Sequence, residues 1–337
     1  MAGRPAAVLA MRPDVADAAF PAAAQALLDT LVDIDHGLAV TDFSDPRARA
    51  ALAGAELLLT GWGCPVLDAQ VLDAAPKLRA VVHAAGSVKH HLSTDFWTRG
   101  ILVSSAAQAN AYPVAQFTVS VILLSGKRVF EMARQYSDGA FKKSSTSPRF
   151  GNTGRTVGVI GASRIGRLVV PMLVREGFEV LVADPTVTAA EAAALATGPV
   201  RLVGLEELLR SSDVVTVHAP SLPETHHLLD DARLALMRDG SVLVNTARGT
   251  LVDTDALVRH CSSGRIDAFL DVTDPEPLPP GHPLFLLPNV VVTPHLAGAM
   301  GTEVAELGGF AIAEVRRYVE GVPLLGAVRE DDLARIA

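Results

Sequence analysis

Three polar stretches carry residue types that could do chemistry together. "VLVNTARGTLVDTDAL" follows an apolar run and carries Arg248-Gly249. "DAFLDVTDPEPLP" offers Asp271, Asp274 and Glu276, and "NVVVTPHLAG" ends a run with Pro294-His295. An arginine presents a rigid two-pronged donor that suits a carboxylate and a nearby carbonyl oxygen. An imidazole changes charge near neutral pH and can give or take a proton. A carboxylate can hold the other ring nitrogen and so orient the ring. In open parallel sheets the carboxyl ends of strands carry the sites, so an arginine, an acid and a histidine from three such ends can meet in one cleft. Asp253 has a plainer reading as the cap of a helix starting at 254.

A second chemistry-bearing stretch lies upstream. In "VGVIGASRIGR" the run Gly161-Ala162-Ser163-Arg164-Ile165-Gly166 follows a Val/Ile strand and precedes a plausible helix, "RLVVPMLVREG". That is the context a dinucleotide-binding turn requires. The middle glycine of G-x-G-x-x-G is replaced by Ser163, a small residue that lets backbone approach a diphosphate and whose hydroxyl could donate to it. Asp184 ends the next strand, "FEVLVAD", at the position of a ribose-binding acid. Its charge would repel a 2′-phosphate, and Pro185 and Thr186 offer no positive charge, so NAD is favoured over NADP.

The elements that must position these residues are legible as alternation. In the first third, "AAVLAM", "GLAVTDF", "AELLLTG" and "LRAVVHAAG" read as strands. "DAAFPAAAQALLDTL", "PRARAALAG" and "PVLDAQVLDAA" read as helices. Residues 113–137 predict one or two helices. Residues 137–156, rich in Ser, Gly and Thr, read as a loop and the clearest shift in composition. Strands are predicted at 157–161, 179–183, 200–203, 213–218, 241–246, 266–271 and 290–293. Helices are predicted at 165–176, 205–211, 231–237 and 253–262, and a long one at 301–320 with Gly321 as its stop. The rhythm implies α/β layers around parallel sheets.

Composition narrows the function classes. The chain has 337 residues, 49% of them apolar and 20% charged, enough for two packed domains. The net charge of −8 gives no footprint for nucleic acid. Lys142-Lys143, the densest basic spot, reads as a solvated loop. Two cysteines, Cys64 and Cys261, fit a reducing compartment. The first apolar run is broken by Arg12, Pro13 and Asp14 and reads as a strand rather than a signal peptide. No membrane-spanning segment is found, and the expected location is cytoplasmic. No metal site is assigned.

The motifs together resemble the NAD-dependent D-isomer-specific 2-hydroxyacid dehydrogenase family. "NTARG", "LDV…EPLP", "TPHLAG" and the glycine turn stand in the family's order and spacing. "HAAG", "GILVSSAAQANAYPVAQFTVSVILL" and "VHAPSLPETHHLL" also match, so the resemblance covers about residues 50–325. It implies two doubly wound Rossmann-like domains with parallel sheets and a cleft between them. The substrate-binding domain would be 1–110, completed by a C-terminal helix in 297–337, with the NAD-binding domain at 111–296.

The resemblance places the catalytic arginine on Arg248, the glutamate on Glu276 and the acid/base histidine on His295. It places NAD on Gly161, Ser163, Arg164, Ile165, Gly166, Asp184, His218, Ala219, Pro220, Thr225, Thr246, Ala247, Asp271, His295 and Gly298, with Asp271 near the nicotinamide amide. A substrate carboxylate would meet backbone amides of Ala85, Gly86, Ser87 and Val88, together with Arg248. The implied activity interconverts a 2-keto acid and a D-2-hydroxy acid in a homodimer. A phosphoglycerate-, glyoxylate- or sugar-acid-type enzyme is the alternative, and an NAD-sensing corepressor-like binding protein a more distant one.

Departures from the family pattern are local. "DVTDPEP" departs from "DVFExEP", with Thr273 replacing an aromatic and Asp274 as a second carboxylate. "HAAGSVKHH" replaces a glycine–x–glycine loop, with Lys89, His90 and His91 either adding positive charge at its mouth or standing as exposed loop residues. Gln116 stands at a domain junction, and Trp62 reads as either a substrate wall or core.

Overall fold

The computed structural model describes residues 3–139 and 150–334, so Lys142 and Lys143 lie outside the described residues. The chain divides into two compact units. One comprises the residues up to Asn110 together with those from Ala299 onward, and the other is Ala111–Gly298. Each is built on a wholly parallel sheet.

The first unit contains β1 (Ala6–Ala10), β2 (Asp33–Ala39), β3 (Leu57–Thr60), β4 (Ala80–His83) and β5 (Leu102–Ser105), in the order β2-β1-β3-β4-β5. Its central strands are short apolar runs with every residue buried, as a sheet covered on both faces demands. One covering element is the helix Val304–Val319. Gly308 lets it approach the helix Pro13–Ala19, because a Cβ there would lie 1.8 Å from the Ala19 carbonyl oxygen. Its buried Glu314 accepts from the amides of Leu325 and Gly326 at 3.0 and 2.9 Å and from the Ser104 hydroxyl. A fully buried carboxylate is tolerable there because three donors satisfy it.

The second unit contains β6 (Thr156–Ile160), β7 (Glu179–Ala183), β8 (Val200–Leu202), β9 (Val214–Val217), β10 (Ser241–Asn245), β11 (Ile266–Leu270) and β12 (Val290–Val292). The order is β12-β11-β10-β9-β6-β7-β8. It reverses between β6 and β9, which is the switch point where doubly wound sheets bind ligands. All seven strands fall where the apolar runs place them, to within a residue at each end.

Several expectations require correction. "DAAFPAAAQALLDTL" is not one helix but two, Pro13–Ala19 and Ala22–Leu31. Pro21 has no N–H for a helical bond and instead opens the second helix. "GLAVTDF" supplies only the end of β2, which stops at Ala39. Residues 113–137 resolve into the helices Ala107–Gly126 and Val129–Ser137, parted at Arg128, whose φ is +52°. The first of these begins earlier than predicted, and the change of unit at Asn110/Ala111, where the domain boundary is expected, falls inside it. The C-terminal helix starts with a 3-10 turn, Gly301–Glu303, and ends before Gly321 at φ +69°. Among the described residues no helix is long and apolar enough to cross a membrane.

Candidate dinucleotide and acid–base site

The glycine turn caps the carboxyl end of β6. Gly161 has φ +93°, and a Cβ there would lie 2.6 Å from the Ala219 nitrogen. The chain leaving β9 therefore passes directly against it, and only glycine fits. A Cβ on Gly166 would lie 2.1 Å from the Gly161 carbonyl oxygen, so the turn closes on the start of the helix Gly166–Arg175. Ser163 is half-buried and Arg164 exposed. The amides of Ser163, Arg164 and Ile165 donate to no described residue, which leaves a row of N–H groups at a helix N-terminus. Asp184 follows β7. Its Oδ2 accepts from the Ala162 amide at 2.7 Å, and its Oδ1 accepts from the Thr186 amide and hydroxyl at 2.8 and 2.7 Å. The acid thus also ties the glycine turn to the neighbouring strand end.

The arginine turn is built by a residue that sequence reasoning missed. Asn245, the buried last residue of β10, accepts from the Ala247 amide at 3.0 Å and donates to the Arg248 carbonyl at 2.8 Å. Those two bonds fold "NTARG" back on itself and present the Arg248 side chain. Burial holds the Arg248 guanidinium below its ordinary pKa, and the nearby Glu276 charge acts the other way. Gly249 lets the loop after β11 lie against this turn, since a Cβ would sit 2.0 Å from the Thr273 carbonyl. Asp253 caps the helix Thr254–Ser262, accepting from the Ala256 amide at 2.9 Å.

The histidine loop hangs on Asp271. This buried carboxylate accepts from the Thr293 hydroxyl at 2.6 Å and from the Leu296 and Ala297 amides at 2.8 and 2.9 Å. The His295 amide donates to the Asp271 and Thr293 carbonyls at 2.9 and 3.0 Å. His295 is held at φ +53°, a left-handed conformation that a non-glycine residue adopts only when its surroundings impose it. The outcome is a half-exposed imidazole whose Nδ1 lies 2.6 Å from Glu276 Oε1. Of the two acids flanking Pro275, the structure brings Glu276 to the ring.

The other expected residues fall into two groups. His218 is buried beneath the glycine turn with Nε2 3.0 Å from the Thr216 hydroxyl, and burial pushes its pKa down to about 3. Ala219 and Ala247 are buried, while Pro220 and Gly298 are half-buried. Thr225 closes its own loop, donating to the Pro220 carbonyl at 2.6 Å and accepting from the Leu222 amide at 2.8 Å. Thr246 is buried with its hydroxyl 2.8 Å from that of Thr118. Gln116 is exposed and its side chain makes no hydrogen bond among the described residues.

In the first unit, Ala85 and Val88 are buried and Gly86 and Ser87 half-buried. The Gly86, Ser87 and Val88 amides donate to no described residue, while the Ser105 hydroxyl pins the Gly86 carbonyl at 2.6 Å. His91 is not a charge beside this loop. It is buried, its ring centroid 4.4 Å from that of His83, and its pKa is lowered to about 4 by burial. His90 is exposed. Trp62 packs into the core beside Leu307 and Phe310, which favours the core reading.

This is an α/β chain with a dinucleotide-binding turn at the switch point of its larger sheet. Residues 119–297 match the family model for the D-isomer specific 2-hydroxyacid dehydrogenase, NAD binding domain. A D-3-phosphoglycerate dehydrogenase of Mycobacterium leprae is 38% identical over 291 residues, covering 85% of this chain and 53% of the relative. A glyoxylate reductase of Thermofilum pendens is 35% identical over 239 residues, 69% of each chain. A protein of solved structure from Thermus thermophilus is 32% identical, with a TM-score of 0.75, covering 96% of this chain and 99% of that one. The chain belongs to the D-isomer specific 2-hydroxyacid dehydrogenase family, and its larger unit contains that family's NAD-binding domain. It spans about half the length of the phosphoglycerate dehydrogenases it matches.

Proposed function

We propose that this chain is an NAD(H)-dependent oxidoreductase that interconverts a 2-keto acid and a D-2-hydroxy acid. The observation that carries the reading is the His295–Glu276 pair, 2.6 Å apart in the same unit as the glycine cradle. When bound, the nicotinamide supplies or accepts the hydride. The Ser163–Ile165 amides hold the pyrophosphate, and Asp184, whose oxygens keep lone pairs beyond their present bonds, accepts from the ribose hydroxyls. Asp271 Oδ2 accepts one hydrogen bond and has a second lone pair for a carboxamide N–H.

Arg248 binds the substrate carboxylate and polarises the carbonyl that is reduced. With Nδ1 engaged by Glu276, His295 Nε2 is the nitrogen that protonates the forming alkoxide, and in the reverse direction takes the hydroxyl proton. Glu276 fixes the ring's orientation. The unpartnered amides of Gly86, Ser87 and Val88 form a carboxylate-binding nest in the first unit. On this reading residues 1–110 with 297–337 are the substrate-binding part, and the enzyme is a cytoplasmic homodimer. Glyoxylate and 3-phosphohydroxypyruvate belong in the substrate panel because the relatives named above are a glyoxylate reductase and a phosphoglycerate dehydrogenase.

The test is a panel of 2-keto acids with NADH and NADPH followed separately by absorbance. Turnover with NADH on at least one of them is expected. Nucleotide binding with no turnover across the panel would instead support a binding protein.

A further inference from the structure

Apart from the acid–base pair, one group of side chains in the larger unit converges without serving it. His226 and His227 follow the short 3-10 turn Pro223–Thr225, and Asp274 lies in the loop after β11. One donor atom from each lies within 4.8 Å of the other two. The two imidazoles are stacked, with centroids 3.9 Å apart and planes 23° from parallel. His227 takes φ +49°, and its amide donates to the Thr250 carbonyl at 2.8 Å, which fixes this turn beside the arginine turn. Gly249 brings the Thr273–Asp274 backbone against the same turn. Among the described residues none of the three side chains makes a hydrogen bond or ion pair, so every ligand atom is free.

We propose that His226, His227 and Asp274 form a binding site for a divalent transition metal of the zinc type. Two imidazole nitrogens and one carboxylate oxygen are a donor set suited to Zn²⁺, with a water completing four-coordination. Ligand atoms about 2.1 Å from a tetrahedral ion stand about 3.4 Å apart, so the group closes on the metal by side-chain adjustment of about 1 Å. His226 is exposed and the other two half-buried, which leaves the ion an entry path. No sequence motif marks the site, because Asp274 reaches the histidines only through the packing of two loops. The bound ion ties the loop after β9 to the segment that leads into Glu276. The proposal does not depend on the dehydrogenase reading.

The experiment uses untagged protein stripped with a chelator. Zn²⁺ binding is measured by calorimetry, and Co²⁺ binding by its visible absorption. One Zn²⁺ per chain is expected, with a Co²⁺ spectrum of imidazole–carboxylate ligation. Both His226→Ala and Asp274→Asn should weaken binding by more than about tenfold. They should also abolish the Zn²⁺-dependent rise in unfolding temperature. His226 is exposed, so its variant should fold normally, which circular dichroism verifies. No saturable binding to the parent chain, or unchanged affinity in both variants, would overturn the proposal.

Discussion

Two histidines stand at strand ends of the same sheet and have opposite surroundings. His218 leaves β9 beneath the glycine turn, 3% exposed, with Nε2 on the Thr216 hydroxyl and Nδ1 without a partner. Burial lowers its pKa to about 3, so it is neutral throughout the working range. His295 follows β12 on a loop, its side chain 50% exposed, with a carboxylate on Nδ1. The residue type is the same, and the sequence assigns both to the cofactor. Solvent access and a charged partner suit an imidazole to carry a proton, whereas burial against a hydroxyl suits it to packing. His218 forms the floor of the cofactor turn, where a Cβ on Gly166 would come within 3.6 Å of the His218 Cβ.

The sharpest way to break this contrast is to remove each ring in turn. His295→Ala should lower kcat by roughly 100- to 10,000-fold, the usual worth of a general acid–base group, while leaving NADH binding within about twofold. Stopped-flow turnover and fluorescence titration measure the two. If His218→Leu lost as much turnover as His295→Ala, the contrast would be wrong.

Asp271→Ala should have the next largest effect. It leaves the Thr293 hydroxyl and the Leu296 and Ala297 amides without their acceptor. Losing hydrogen bonds to a buried charge destabilises by about 1.5–3 kcal/mol each in the unrelaxed limit. It also frees the loop that imposes φ +53° on His295. Turnover should fall by at least about tenfold together with a lower unfolding temperature, because a base displaced by about 1 Å loses its alignment. A variant that is less stable but fully active would separate the loop's order from the chemistry.

These residues mark the limit of what the sequence discloses. The glycine turn, the place of Asp184 at a strand end and the strand boundaries of the larger sheet are legible because they are set locally. A strand, a tight turn and a helix start lie within a few residues, and the apolar runs set the sheet. Asp271 reads as a cofactor ligand, yet its visible work is to fold the loop of His295, through bonds between residues far apart in the chain. Asn245 stands inside a legible motif without a signal of its own, since an asparagine ending a strand signals a turn only when its partners are known. The split at Pro21 is legible in principle, but the apolar spacing on either side outweighs the missing N–H and suggests one helix. His91, adjacent to a lysine and another histidine, looks like surface charge. Only the packing against His83 shows that it is core.

A third prediction uses the pKa difference directly. His218 binds a proton in the unfolded chain below about pH 6.5 but in the folded protein only near 3. Its folded pKa is depressed, so the stability it contributes is complete above 6.5 and is lost as pH falls toward 3. The slope is up to about 1.4 kcal/mol per pH unit. His83 and His91 in the other unit act in the same direction. The unfolding midpoint in urea should therefore fall between pH 6.5 and 4, and His218→Leu should flatten part of that fall. An unchanged slope would mean that His218 is solvated and that its contrast with His295 is smaller than described.

The smallest expected effect lies on the other side of the turn that His218 supports. Ser163 stands where a dinucleotide turn ordinarily has a second glycine, half-buried, with both its amide and its hydroxyl without a partner among the described residues. Ser163→Gly keeps the backbone approach and removes only the hydroxyl. If the hydroxyl donates to a pyrophosphate oxygen, the loss is that of one hydrogen bond to a charged group, about 1.5 kcal/mol, or roughly a tenfold weaker Kd for NADH. Added backbone freedom of glycine before the helix acts in the same direction but by less. Ser163→Ala separates the two, since it removes the hydroxyl without freeing the backbone. Equal weakening in both variants assigns the effect to the hydroxyl. Weakening in the glycine variant alone assigns it to the backbone, and the serine would then only fill the place that glycine holds elsewhere.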